Sequence, residues 1–194
     1  MNKIIKKAAL AVLLGAVSSA AFAADTGAFF INANVGQSHF HDHGFSDRTD
    51  TDAAARVGYV WHVGESSDFG VEAGYANLGR ASESLIVNLN SVNVSTKLTG
   101  PVYGGNYKYR FANKMFVSVR AGWFRSKFDV SVPGSGSQSF SGNGAYSGIG
   151  VGYDINQHFS LGVNFDEYHG RATFYGTKAK EGVSALSGFA EYRF

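Results

Sequence analysis

The chain of 194 residues contains no cysteine. That single absence removes disulfide scaffolds, thiolate metal sites and cysteine nucleophiles. Proline occurs twice against 25 glycines, whereas disordered low-complexity chains tend to be rich in both. Charged residues are only 16% of the chain, against the ~25% usual in a soluble domain, and aromatics reach 14%. Such a surface suits lipid better than water. Yet no stretch reaches the ~20 consecutive apolar residues that a spanning helix requires. If the chain crosses a membrane, it must do so with strands.

The N-terminus reads as an export signal. Lys3, Lys6 and Lys7 precede an apolar run from Ala8 to Val17, and Ala21-Phe22-Ala23 supplies the small-x-small pattern of a signal-peptidase site. The run is too short for a membrane anchor. The expected division is a signal peptide over 1–23 and one domain over 24–194, which is 171 residues. Losing three lysines leaves 14 basic residues against 15 acidic ones, so the positive balance of the whole chain belongs to the leader. A mature charge of −1 gives no reason to expect nucleic acid as a partner.

In the remainder, period-2 alternation recurs in eight segments: Phe29–Phe40, Ala55–Val63, Phe69–Asn77, Tyr103–Phe111, Met115–Trp123, Ser147–Ile155, Phe159–Phe165 and Ser184–Phe194. One face is apolar throughout, as in Met115, Val117, Val119, Ala121 and Trp123. The other is mainly glycine, serine, asparagine and isolated charge. In a soluble sandwich or lipocalin-type barrel the apolar face points inward; here the small polar face has the composition of a cramped interior. The expected fold is therefore an all-β, eight-stranded antiparallel transmembrane up-and-down barrel, with segments near the ~9–11 residues a tilted strand needs. Short joins at Gly64–Asp68, Ala112–Lys114 and Asn156–His158 alternate with long polar ones near His41–Ala54, Arg80–Thr99, Lys127–Gly144 and His169–Gly182. This asymmetry predicts periplasmic turns, external loops and periplasmic termini. Trp61, Phe69, Tyr109, Phe111, Tyr153, Phe159 and Tyr192 fall near the inner rim. Phe40, Tyr103, Trp123 and Phe165 fall near the outer one, and the two sets read as aromatic girdles.

Several pieces resemble one family. Phe69-Gly-Val-Glu-Ala-Gly-Tyr75 runs into Leu78-Gly-Arg80, Val151-Gly-Tyr153 follows, and the chain closes on Glu191-Tyr-Arg-Phe194. His39-Phe-His-Asp-His-Gly-Phe45 is similar to that family's entry into its first loop. The chain resembles the eight-stranded membrane domain of the outer membrane protein A family and its small relatives of the outer membrane protein X type. The resemblance implies that Tyr192 and Phe194 form an assembly signal read by the outer-membrane insertion machinery. It also implies a luminal network of ion pairs, for which Glu72 and Arg120 match family positions. Asn106 and Gly162 stand where a lysine and a second arginine are expected, and Lys108 lies one inward step from the first. The expected network is Glu72, Lys108, Arg120 and Glu191, a charge-balanced plug, because unpaired charges in such an interior are costly. A gated ion path is the competing use of the same residues. With the chain ending at Phe194, the family's peptidoglycan-binding domain and its anchoring role are not expected.

Other clusters have two readings each. His39, His41 and His43 share one side of an extended strand, near Asp42, which suits metal binding or a hydrated loop base. Phe165-Asp-Glu-Tyr-His169 gathers carboxylates and an imidazole at the outer rim, suggesting either a solvated edge or a catalytic dyad of a lipid A-modifying enzyme. Arg80, Lys97, Arg125, Lys127, Arg171, Lys178 and Lys180 lie in the outer connections, where they serve as solubilising charge or as contacts to lipopolysaccharide phosphate. Ser84–Thr96 alternates like a hairpin projecting from the membrane, and Val130–Gly144 reads as a mobile loop. The expected function is non-catalytic: envelope integrity with loop-mediated contact, through adhesion or host-factor resistance, as a monomer without metal or cofactor. Its competitors are a narrow pore and a lipid A-modifying enzyme.

Overall fold

In the computed structural model, residues 27–41, 49–87, 90–132, 136–174 and 177–194 are described. They form eight strands: β1 (Gly27–Phe40), β2 (Thr49–Val63), β3 (Ser67–Val87), β4 (Asn90–Arg110), β5 (Met115–Val132), β6 (Gly136–Asp154), β7 (Phe159–Phe174) and β8 (Thr177–Arg193). Every strand pairs with its sequence neighbour, and β8 closes on β1, giving a closed antiparallel barrel. No helix among the described residues is long and apolar enough to cross a membrane, and the crossing is made by strands.

The register fixes the shape. Following paired residues from Phe30 through Gly58, Glu72, Gly104, Gly122, Tyr146, Tyr168 and Val183 returns to β1 at Phe40, ten residues beyond the start. A stagger of that size tilts the strands by about 40°. Met115 to Trp123 then covers about 26 Å of strand, or about 20 Å along the axis. That height, with its flanking rings, approaches the ~25 Å apolar band of outer-membrane barrels.

The inner ends are tied by tight turns. Phe111 N–H donates to the Met115 carbonyl (2.8 Å), and Lys114 adopts a positive φ of 66°. The Asn156 side chain accepts from the N–H groups of His158 and Phe159 (2.9 and 2.8 Å). At the closure, Phe194 N–H donates to the Phe29 carbonyl (3.0 Å), so the chain end is stitched to the first strand.

At their outer ends, the strands continue past the segments assigned from alternation. β3 and β4 stay paired up to Val87 and Asn90, and β5 and β6 up to Val132 and Gly136. Most of the connections expected as long loops are therefore strand. The segment 136–144, expected within a mobile loop, is a strand fully paired with β5. Backbone pairing satisfies N–H and C=O groups there whatever the side chains are, so a weakly alternating sequence is no obstacle. The β3–β4 hairpin also carries a bulge: between the pairs Asn77–Thr99 and Arg80–Lys97, two residues of β3, Leu78 and Gly79, oppose one of β4, Leu98. Gly79 sits there at φ +79° with Asp50 packed where a Cβ would lie. The Asp50 carboxylate accepts from the Arg80 N–H at 2.7 Å, pinning the kink from β2.

Candidate functional site

Alternation sorts side chains to the two faces of the barrel wall. Between the inner rim and the outer girdle, the outward face is apolar and exposed: Val57, Val71, Val117, Val119, Val151 and Val163 among others. The lower aromatics Trp61, Phe69, Tyr109, Phe111, Tyr153 and Tyr192 are exposed, as are Tyr103, Trp123 and Phe165 above. Phe40 is not a girdle residue. It is 1% exposed and points into the lumen, because β1 places it in phase with Asn32, Asn34 and Ser38.

The inward face gathers charge. Five basic side chains (Arg56, Lys108, Arg110, Arg120, Arg193) meet five carboxylates (Asp68, Glu72, Asp154, Asp166, Glu191) among the described residues. They fall into two groups. At the inner mouth, Lys108 Nζ lies 2.6 Å from Glu191 Oε1 and 4.3 Å from the Phe116 ring centroid. Asp154 takes Arg193 at 2.6 Å and Arg110 at 3.2 Å, while Asp68 accepts from Arg110 and lies 2.7 Å from His62 Nδ1. Deeper in the lumen, Arg56 bridges Glu72 (3.5 Å) and Asp166 (3.6 Å) and donates to the Tyr168 hydroxyl (2.7 Å). Arg120 reaches Asp166 at 3.6 Å, and Glu72 also accepts from Tyr146 (2.8 Å) and Asn106 (3.0 Å).

Of the four residues expected to form one plug, Lys108 and Glu191 pair directly, whereas Glu72 and Arg120 take other partners. Between the two groups lies a cavity of about 30 Å³, lined by Asn32, Glu72, Asn106, Lys108, Arg120 and Glu191 among others. Of the two residues at the centre of the deeper group, Arg56 was not singled out from sequence, and Asp166 was read only as part of the outer-rim cluster. The usable signal was phase: Arg56 alternates with the apolar face of β2, and Asp166 continues the inward series Ser160, Gly162, Asn164.

That phase also corrects the rim reading. Asp166 and Tyr168 are buried in the lumen, while Glu167 and His169 lie on the other face, so the carboxylates and imidazole of 165–169 do not form one cluster. Glu167 instead accepts from Ser184 Oγ at 2.6 Å, and His41 Nε2 lies 2.5 Å from the same oxygen. The serine donates its proton to the carboxylate, leaving its oxygen to accept from the imidazole. In a hydrolytic relay the imidazole takes the serine proton and the acid orients the imidazole, and this wiring is the reverse. His39 bonds Thr49 Oγ1 at 3.3 Å, and its ring centroid is 6.3 Å from that of His41. Asp42 and His43 lie outside the described residues, and no group of three metal-ligating side chains occurs among those described.

Above the girdle the two faces exchange character. Outward positions become polar, with Arg125 and Lys127 following Trp123, and Glu167 and His169 following Phe165. Inward positions become apolar: Phe40, Leu78, Leu98, Val102, Phe124, Phe128 and Val183 form one buried cluster with Tyr146 and Tyr168. The outer part of the lumen is thus a hydrophobic core above the charge network. The mainly polar interior expected from sequence is found at membrane height, where Phe30, Val60, Phe116 and Phe189 are buried among the charged and polar groups, and it gives way above, because there water, not lipid, bathes the outer wall. Leu98 lay in a stretch assigned to a loop and Leu78 just past the end of an assigned strand, which hid the exchange.

Residues 9–194 match the family described as outer membrane protein beta-barrel domain. No curated protein matches the chain in sequence. Among solved structures, neisserial surface protein A (NspA) superposes with a TM-score of 0.53 at 12% identity, over 86% of this chain and 97% of the other. The attachment invasion locus protein Ail of Yersinia pestis superposes with a TM-score of 0.54 at 15% identity, over 87% of this chain and 99% of the other. Ail has also been solved with the heparin analogue sucrose octasulfate, in a form with TM-score 0.52 and 15% identity, over 87% and 99% of the two chains. Fold, face pattern and family match agree: the chain belongs to the outer membrane protein beta-barrel domain family and is an eight-stranded barrel of the bacterial outer membrane.

Proposed function

We propose that the protein is exported with residues 1–23 as a cleaved leader and stands with its mature termini in the periplasm. It acts there as a non-catalytic monomer in envelope integrity and surface contact, by adhesion or by resistance to host factors. In this reading the luminal ion pairs form a structural plug, and Tyr192 and Phe194 are the signal for the insertion machinery. Tyr192 is exposed at the inner rim and its ring stands edge-on to Phe194 with centroids 5.1 Å apart, a placement open to recognition.

The observation that carries the surface role is the sheet formed by the outer ends of β3, β4, β5 and β6. From Tyr75 in the girdle to Val87, β3 runs about 40 Å of strand. Pairing with β2 reaches no farther along β3 than Asn77, and pairing of β6 with β7 stops at Ala145. The sheet therefore offers strand edges beyond the membrane, which can accept a strand from another protein. Ail, whose name describes attachment and invasion, supports the same assignment by likeness. A filled lumen argues against a physiological pore.

The test is a deletion strain complemented with the full protein or with a form lacking residues 82–95. The full protein is expected to restore both detergent resistance and binding to host cells, and the shortened form detergent resistance alone. Binding retained in full by the shortened form would overturn the surface role of that sheet.

A further inference from the structure

One luminal carboxylate stands outside both ion-pair groups. Asp52 lies on the inward face of β2, two residues beyond Ala54 and opposite Gly36 of β1. On the same strand Ala55 pairs with the girdle residue Tyr75, so Asp52 sits three residues above the girdle. It is 3% exposed, and its Oδ1 has no hydrogen-bond partner. Among the described residues no lysine, arginine or histidine lies within ion-pair distance of it. Arg56, two inward positions deeper on the same strand, is engaged with Glu72, Asp166 and Tyr168 instead.

The neighbouring strands bring no counter-charge. At this height the inward residues of β1 are Gly36 and Ser38, whose hydroxyl donates to the Leu78 carbonyl at 2.6 Å. β3 presents Ala76 and Leu78, and β8 presents Ala185 and Ser187, whose Oγ is likewise without a partner. Across the lumen β4, β5 and β6 contribute Val102, Phe124 and Tyr146. Charge acts on Asp52 from two places: Asp166 on β7, two residues from Tyr168, and Arg56. On its own strand, Asp50 spends its oxygens on the backbone N–H groups of Thr51 and Arg80. Ala54 and Ala76 are register partners within the buried cluster, so the apolar outer core closes directly beside the carboxylate.

A carboxylate taken out of water without a counter-charge is costly, and such a group keeps its proton instead. Burial, with the Asp166 carboxylate adding to it, pushes the Asp52 carboxyl up from the usual 3.8 to about 6, against a smaller pull from Arg56. We propose that Asp52 is a proton-operated latch on the outer lumen. Protonated, it is neutral and stays sealed beside the apolar core. Ionised, it draws water to the junction of β1, β2 and β3 and loosens their outer ends. The ion pairs of Arg56 lie deeper and hold the crossing segments in both states. Between 3.8 and about 6 the folded barrel keeps a proton that the unfolded chain has released. Stability therefore falls as pH rises through that window and levels off above it. The inference needs only the luminal position of Asp52 and stands apart from the surface role.

The experiment compares the full barrel with D52N in phosphatidylcholine vesicles. Histidine side chains titrate in the same interval, so each pH effect is read as the ratio of the two proteins. From about pH 5 to about pH 8, the folding equilibrium constant of wild type, measured by urea unfolding, is expected to fall about tenfold relative to D52N. At the higher pH, hydrogen exchange over 36–40, 50–54 and 76–80 is expected to be faster in wild type than in D52N, and equal over 115–121. At the lower pH the two proteins exchange alike. The infrared band of a protonated carboxyl is expected to disappear near pH 6 in wild type, and D52N to lack that component. A purely steric role would instead shift stability by the same factor at both pH values. Should D52N fail to fold, D52S carries the same comparison. Parallel pH dependence of the two proteins, identical exchange of the outer ends at the higher pH, or no carboxyl titrating above about pH 5 would overturn the latch. A barrel that folds and inserts but fails these comparisons leaves the surface role standing.

Discussion

Arg56 is sealed from solvent yet ties β2 to β3 through Glu72 and to β7 through Asp166 and Tyr168. Removing one partner of a buried pair strands the others without water to replace it. Arg56→Ala is therefore expected to destabilise the barrel by about 3–5 kcal/mol, measured by urea unfolding in lipid vesicles. At Gly148 the deeper group presses against bare backbone: an added Cβ would lie 1.8 Å from Asp166 Oδ1. Gly148→Ala must push that carboxylate away from Arg120 and Arg56, and is expected to cost about 1–3 kcal/mol in the same assay. A loss within ±0.5 kcal/mol would show that Asp166 relaxes freely. At this scale the sequence was partly legible. Phase alone put Glu72, Lys108, Arg120 and Glu191 on the inner wall. Pairing depends on the ten-residue stagger, which joins residues from strands far apart in sequence and leaves no trace in spacing along the chain.

Each strand divides into a length that meets lipid and a length that meets water, and it keeps its backbone phase across the boundary. On β5 the outward series runs Val117, Val119, Ala121, Trp123 and then Arg125, Lys127; the inward series runs Ser118, Arg120, Gly122 and then Phe124, Ser126, Phe128. The outer half behaves like a small soluble barrel stacked on a membrane one. Phe124→Ala is expected to cost about 3–5 kcal/mol, as for a core aromatic in water-soluble proteins. Trp123→Ala at the interface should leave urea stability nearly unchanged. The eight crossing segments were legible because lipid imposes one sign of alternation. Of their outer ends, Ser84–Thr96 was legible as a projecting hairpin and is paired as one, whereas the others were not, since an alternation of the opposite sign reads as polar loop when only apolar-out segments are sought. Leu98 is the instructive case: a buried side chain inside a stretch that looked like connection.

Across the whole molecule, the lumen at membrane height is occupied by two groups of ion pairs with a small cavity between them. Planar-bilayer recordings are expected to show no large steady conductance, since the cavity between the two charge groups is about 30 Å³, room for a single water molecule. The account depends on one exchange of polarity at the outer girdle. It is tested most directly by spin-labelling single cysteines from 115 to 128 along β5 in lipid bilayers and measuring collisions with oxygen and with a water-soluble nickel complex. Positions 117, 119 and 121 are predicted to favour oxygen, 125 and 127 to favour nickel, and 118, 120, 124, 126 and 128 to meet neither. Nickel reaching 124, 126 and 128 freely, or oxygen dominating at 125 and 127, would contradict it.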